Sequence, residues 1–135
     1  MLPGFKSTSL QGQLATTVPT SVIFQRSGNV SNSYLQIGSV VSDATGFPIR
    51  INDGELSFIS VQNENVNTFD VSVYEWDGTT ETLLSTISVV SSEGSDFTPS
   101  TPIALTFGNS LRARVTSGSC KNPVLLVYII GDVPV

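Results

Sequence analysis

Two pairs of acids are the places where this sequence could do hydrolytic chemistry. Glu75 and Asp77 stand two residues apart, as do Asp53 and Glu55. Glycoside hydrolysis needs such a pair, one carboxyl to protonate the leaving group and one to act as base or nucleophile. Each pair flanks or forms a turn, where acidic residues have ordinary structural uses, and neither is accompanied by other reacting groups. The chain has no histidine, which removes the usual general base and the commonest zinc ligand. Neither a Ser-His-Asp nor a Cys-His device can be assembled within it. No phosphate-cradling loop or dinucleotide glycine pattern occurs. The expectation is a protein that is not an enzyme, with no catalytic residues, no metal and no cofactor.

Weaker possibilities attach to other residues. Asn52-Asp53-Gly54-Glu55 and Asn63-Glu64-Asn65 offer oxygen ligands for calcium, but neither has the spacing of an EF-hand loop, and turn chemistry explains them without a metal. The single cysteine, Cys120, has no intrachain partner. Neighbouring Lys121 would lower its pKa, while an ordinary loop or buried thiol is the plainer reading. Asn29-Val30-Ser31 is a formal glycosylation sequon, given no weight because the first residues lack the basic start and apolar core of a signal peptide. Tyr74 and Trp76, the latter the only tryptophan, share the strand face opposite Phe69, Val71 and Val73. They are candidate contact residues, as a protein hot spot or a sugar platform, with Asn63, Asn65 and Asn67 nearby. Packing against cross-strand neighbours is the competing explanation.

The 135 residues suit one domain able to bury a core without disulfides or metals. Hydrophobic residues make up 39% and charged residues only 13%, about half the ~25% usual for soluble domains. Ser, Thr, Asn and Gln must therefore solvate the surface, and sparse charge hints at a surface covered by a partner. The net charge is −5. The basic residues are scattered, and only Arg112 and Arg114 share a strand face. Nucleic acid and anionic lipid both want a clustered positive footprint, so neither is an expected partner. The longest apolar run, Val124 to Ile130, is far short of a membrane-spanning helix.

The elements that must position these residues are strands. Residues 1–20 show no period and read as an extended N-terminal arm, with Leu2, Phe5, Leu10, Leu14 and Val18 as spaced apolar anchors. From residue 21 to 135 the chain reads as the folded domain. Strands are expected at Ser21–Gln25, Tyr34–Ile37, Pro48–Ile51 and Glu55–Gln62, with Asn52-Asp53-Gly54 as a tight turn. Phe69, Val71 and Val73 alternate with Asp70, Ser72 and Tyr74, which gives one buried and one wet face. Asp77-Gly78 turns the chain into Glu81–Val90, with Leu83, Ile87 and Val89 assigned to one face. Ser91–Ser100 reads as a polar loop. Ile103, Leu105 and Phe107 alternate, as do Leu111, Ala113 and Val115, with a turn at Gly108-Asn109-Ser110 between them. Val124–Ile130, apolar on both faces, reads as a central strand. About eight to nine short strands at roughly 10–12-residue spacing predict an all-β antiparallel sandwich. The immunoglobulin Cys…Trp…Cys pattern is absent, so the prediction is jelly-roll-like.

Three stretches, SVIFQRSGNVSNSYLQIGSVVSDATGFPI, NENVNTFDVSVYEWDGTTETLLSTISVV and SGSCKNPVLLVYIIG, resemble small β-rich virion structural proteins of tailed bacteriophages, in particular the head decoration or cement class. Some fibre-associated domains look similar. The resemblance spans residues 21–131 and carries no functional residues. It implies a subunit on the capsid surface of the virion, assembled in the host cytoplasm, self-associating as a dimer or trimer and bridging major capsid proteins. The alternative expectation is a tail-fibre or receptor-binding module, lectin-like, using Tyr74, Trp76 and the asparagines.

Overall fold

The computed structural model describes residues 16–43, 54–106 and 108–133. They form β1 (Thr16–Gln25), β2 (Asn29–Val30), β3 (Ser33–Tyr34), β4 (Gln36–Ile37), β5 (Val40–Val41), β6 (Gly54–Trp76), β7 (Glu81–Phe97), β8 (Ile103–Leu105), β9 (Ser110–Gly118), β10 (Cys120–Lys121) and β11 (Val124–Val133). Every strand pairing is antiparallel. The all-β antiparallel expectation is met.

The two layers are parts of one nearly closed sheet, because β6 belongs to both. Its first half, up to Gln62, lies between β11 on one side and β8 and the end of β7 on the other. Its second half, from Asn67, lies between β7 and β9. The main strand order is β3-β9-β6-β11-β1-β4-β5. Inward residues from both halves fill one core: Leu56, Ile59 and Val61 from the first, Phe69, Val71 and Val73 from the second. Phe24, Leu125 and Val127 complete the layer of the first half, while Leu111, Ala113 and Val115 complete that of the second. Full burial of each large aliphatic or aromatic side chain stabilises the fold by about 1.5–3 kcal/mol.

Several boundaries differ from the sequence reading, each for an identifiable reason. Thr16–Thr20, assigned to the arm by composition, already pair with β11, Thr16 opposite Val133 and Thr20 opposite Ile129. Glu55–Gln62 and the strand carrying Phe69 are one strand: the ladder to β7 jumps from Gln62/Gly94 to Asn67/Ser92, so residues 63–66 form a wide bulge within β6. The expected loop Ser91–Ser100 is strand as far as Phe97, since a backbone ladder to residues 59–62 of β6 holds it without apolar side chains. Leu83 is not in the core. Val73 pairs with Ser85 and Tyr74 with Leu83, so Leu84 is an extra residue that reverses the alternation, and Leu83 is 56% exposed. β11 is a central strand, between β1 and β6, as its two-sided apolarity predicts. Pro48–Ile51, Asn52, Asp53, Phe107, and the arm residues Leu2, Phe5, Leu10 and Leu14 lie outside the described residues.

Candidate functional site

The second half of β6, with β7, β9 and β3, presents an outward face on which aromatic and charged side chains collect. Alternation with the buried Val71 and Val73 places Tyr74 and Trp76 there. Tyr74 is flanked by Leu83 and Arg112, while Trp76 is flanked by Glu81 and Ser110. Arg114 stands between Ser72 and Tyr34. One row of strands thus brings Tyr34, from far away in sequence, beside the two aromatic residues that the sequence singles out.

These side chains are packed on each other. The Arg112 guanidinium lies 3.9 Å from the Trp76 ring centroid, a cation–π arrangement, and its Nη1 donates to Glu81 Oε2 at 3.2 Å. The Tyr34 hydroxyl donates to the same carboxylate, 2.7 Å from Oε2 and 3.0 Å from Oε1. The Tyr34 and Tyr74 rings are 6.5 Å apart and tilted by 49°. Arg114 sits 5.5 Å from the Tyr34 ring centroid and donates to Asn32 Oδ1. Arg26 anchors the strand beneath, donating to the Tyr34 carbonyl at 2.6 Å. Burial, and secondarily the Glu81 carboxylate, push the Tyr34 hydroxyl up to about 12. Each keeps the phenol protonated: burial disfavours the phenolate, and the neighbouring negative charge repels it. Ser72 extends the polar network, 2.8 Å from Thr86 Oγ1 and 3.3 Å from Thr116 Oγ1.

The sequence marks Tyr74 and Trp76 by strand phase, and Arg112 with Arg114 as the one basic pair on a strand face. Tyr34 and Glu81 carry no such mark, because the contacts joining them span 47 positions.

A second polar cluster holds the bulge of β6. Asn63 is buried; its Nδ2 donates to the Glu93 carbonyl at 2.9 Å and its Oδ1 accepts the Lys121 N–H at 3.3 Å. Glu64 Oε1 accepts Asn122 Nδ2 at 2.8 Å and lies 3.7 Å from Lys121 Nζ. Asn122, at φ 48°, ties the same corner to the next loop: its Oδ1 accepts the Gly28 N–H at 2.6 Å and its own N–H donates to the Gly28 carbonyl at 2.8 Å. The oxygens considered for calcium at Asn63 and Glu64 are thus used in holding the bend. Among the described residues no group of three or more Cys, Asp or Glu is arranged to hold a metal.

Glu75, Asp77 and Cys120 have structural assignments too. Glu75 Oε2 accepts the Thr106 N–H at 2.8 Å and Asn109 Nδ2 at 3.0 Å, fastening the segment between β8 and β9. Asp77 Oδ1 accepts the N–H groups of Thr79 and Thr80 at 2.8 and 2.7 Å, and these bonds hold its carboxyl below the ordinary range. Gly78, at φ 99°, completes this turn as expected. Cys120 is buried, its Sγ 3.7 Å from the Val30 carbonyl. Burial pushes the thiol up to about 11, so activation by Lys121 is replaced by its opposite. No family model, curated protein or solved structure matches this chain.

Proposed function

We propose that this chain is a non-enzymatic structural protein that works by contact, most specifically a virion decoration protein bridging major capsid subunits. The observation that carries this reading is the outward face of Tyr34, Tyr74, Trp76, Arg112 and Arg114. Tyr, Trp and Arg are the residues that dominate protein–protein hot spots. Here they are held by one another and by Glu81, so little side-chain freedom is left to lose on binding. The low content of ionised residues and the phage resemblance of residues 21–131 point the same way. A sugar platform, the lectin-like alternative, is less well served, because Arg112 covers one face of the Trp76 ring.

The test is co-sedimentation of the purified chain with capsids of its major capsid protein. Trp76→Ala combined with Arg114→Ala reduces occupancy by tenfold or more, roughly the effect of losing two hot-spot side chains. Removing residues 2–15 leaves β1 whole and reports separately on the arm. Occupancy unchanged by the double substitution removes the face from the reading. Trp76 fluorescence that responds to a glycan panel, with no capsid binding, favours the alternative.

A further inference from the structure

Among the described residues, one edge of the sheet is open over an unusual length. β7 runs for 17 residues and pairs only with β6; among the described residues its other side has no strand partner. From Thr82 to Ser92 this edge contains no charged residue, no proline and no glycine, over about 35 Å at ~3.3 Å per residue. Proteins that leave an edge in water usually guard it with lysine, proline, inward charge or brevity. The acids lie at the ends of this run and none lies within it: Glu93, exposed, follows immediately after Ser92. Glu81 is turned onto the sheet face toward Tyr34 and Arg112, and Asp96 accepts a hydrogen bond from Ser60 on β6 at 2.7 Å. Leu83 and Val90 are 56% and 70% exposed along the same strand.

We infer that this edge pairs with the β7 edge of a second copy, antiparallel about a two-fold axis at Ile87. The ladder to β6 is regular from Ser85 to Val89 and interrupted on either side, at Leu84 and between Val89 and Ser92, where Ser91 has φ 46°. That regular run is symmetric about Ile87. Antiparallel pairing on this axis sets Thr86 against Ser88 of the second copy and Ser85 against Val89 of the second copy. Thr86, whose hydroxyl also bonds Ser72 at 2.8 Å, and Ser88 are exposed residues that meet on the outer face, a favourable cross-strand combination. The Leu83 end of each strand meets the Val90 end of the other. Two chains that each carry −5 repel; a neutral run is where they can approach without opposing ionised groups, and Glu81 and Glu93 lie beyond its interruptions. A two-fold interface of this kind is closed, so the edge is consumed and no filament grows.

The pairing does not depend on what the protein decorates, so purified chain in the absence of capsids reads it. Sedimentation equilibrium of the full chain is expected to give a concentration-dependent dimer. Thr86→Lys with Ser88→Lys sets lysine against lysine twice and weakens the dimer by roughly tenfold or more; Thr86→Lys with Ser88→Glu sets lysine against glutamate twice and restores it. Both sites are exposed, and unchanged circular dichroism confirms that the fold persists. A monomer at all concentrations overturns the inference, including one whose β7 edge amides resist hydrogen exchange, which would assign the edge to another segment of the same chain. Dimerisation unaffected by the lysine pair overturns it as well, and equal loss in both double variants overturns the register about Ile87.

Discussion

Removing the Glu81 carboxylate tests whether the outward face is a braced unit or a chance adjacency of side chains. Glu81 receives the Tyr34 hydroxyl at 2.7 Å and Arg112 Nη1 at 3.2 Å. An exposed ion pair contributes ~0–1 kcal/mol, whereas hydrogen bonds to a charged group contribute ~1.5–3 kcal/mol. The side chains of Arg112 and Glu81 are 13% and 25% exposed, which places the pair between these limits. Glu81→Ala should therefore lower unfolding stability, at matched protein concentration, by ~2 kcal/mol, with Arg112 retaining Trp76 as a partner. Tyr34→Phe should lower it by ~1 kcal/mol, the scale of one net hydrogen bond. The double variant should fall short of additivity by ~1 kcal/mol, as for residues sharing one bond. Urea unfolding of the four proteins measures the cycle. The same contact fixes an alkaline signature. A phenol pushed up from 10.0 to about 12 in the fold contributes stability that is complete below pH 10 and lost as pH rises through about 12. In Glu81→Ala the Tyr34 hydroxyl should ionise at lower pH, read by phenolate absorbance, yet still above its ordinary value because burial, the larger cause, is unchanged. Additive stabilities together with an unmoved Tyr34 titration would refute the idea of a braced face.

Two further outcomes test the core and the strand ends. Gly118 and Gly78 both have positive φ, 68° and 99°, but a Cβ at Gly118 would meet the Thr68 carbonyl oxygen at 2.2 Å while one at Gly78 meets nothing within 4 Å; Gly78→Ala should cost about 1–2 kcal/mol of backbone strain, and Gly118→Ala more than twice that in thermal or urea unfolding, with equal costs counting against the close approach of β9 to β6. Cys120 should resist a thiol reagent in the folded chain well above neutral pH and react fully on unfolding, because its thiol is buried and pushed up to about 11; rapid native-state labelling at neutral pH would show that the burial is wrong.

Much of the fold is legible because pleating gives a local signal. Phe69/Val71/Val73 and Leu111/Ala113/Val115 alternate in sequence and are buried in the structure, and Asp77-Gly78 turns the chain where its chemistry demands. The failures share a cause. Leu84 is one inserted residue that shifts the phase at Leu83, and nothing in TLLS distinguishes the extra residue from its neighbours. Ser92 to Asp96 form a strand through backbone bonds, which leave no pattern in side-chain polarity. The passage of β6 through Asn63-Glu64-Asn65-Val66 looks like a loop because its polar side chains bind Glu93, Lys121 and Asn122, residues that only the folded chain brings near. The outward face divides in the same way: Tyr74, Trp76 and the arginines follow from strand phase, whereas Tyr34 and Glu81 join through pairing across long separations.

The sparse charge acquires a more specific meaning once its partners are known. Arg26 is committed to the Tyr34 carbonyl, Arg112 to Glu81, Arg114 to Asn32 and Lys121 to Glu64. Among the described residues, then, each cation fastens one segment of the chain to another. Hydration of the exterior falls instead to hydroxyls and amides, along β7 above all. Neutral polar groups are much less expensive to remove from water than ions, and they regain their hydrogen bonds across an interface without the penalty of burying charge. A surface built this way stays wetted while the chain is free, yet yields readily to a partner that supplies matching backbone or hydroxyl groups. The described basic side chains thus serve rigidity, which suits the contact role proposed above.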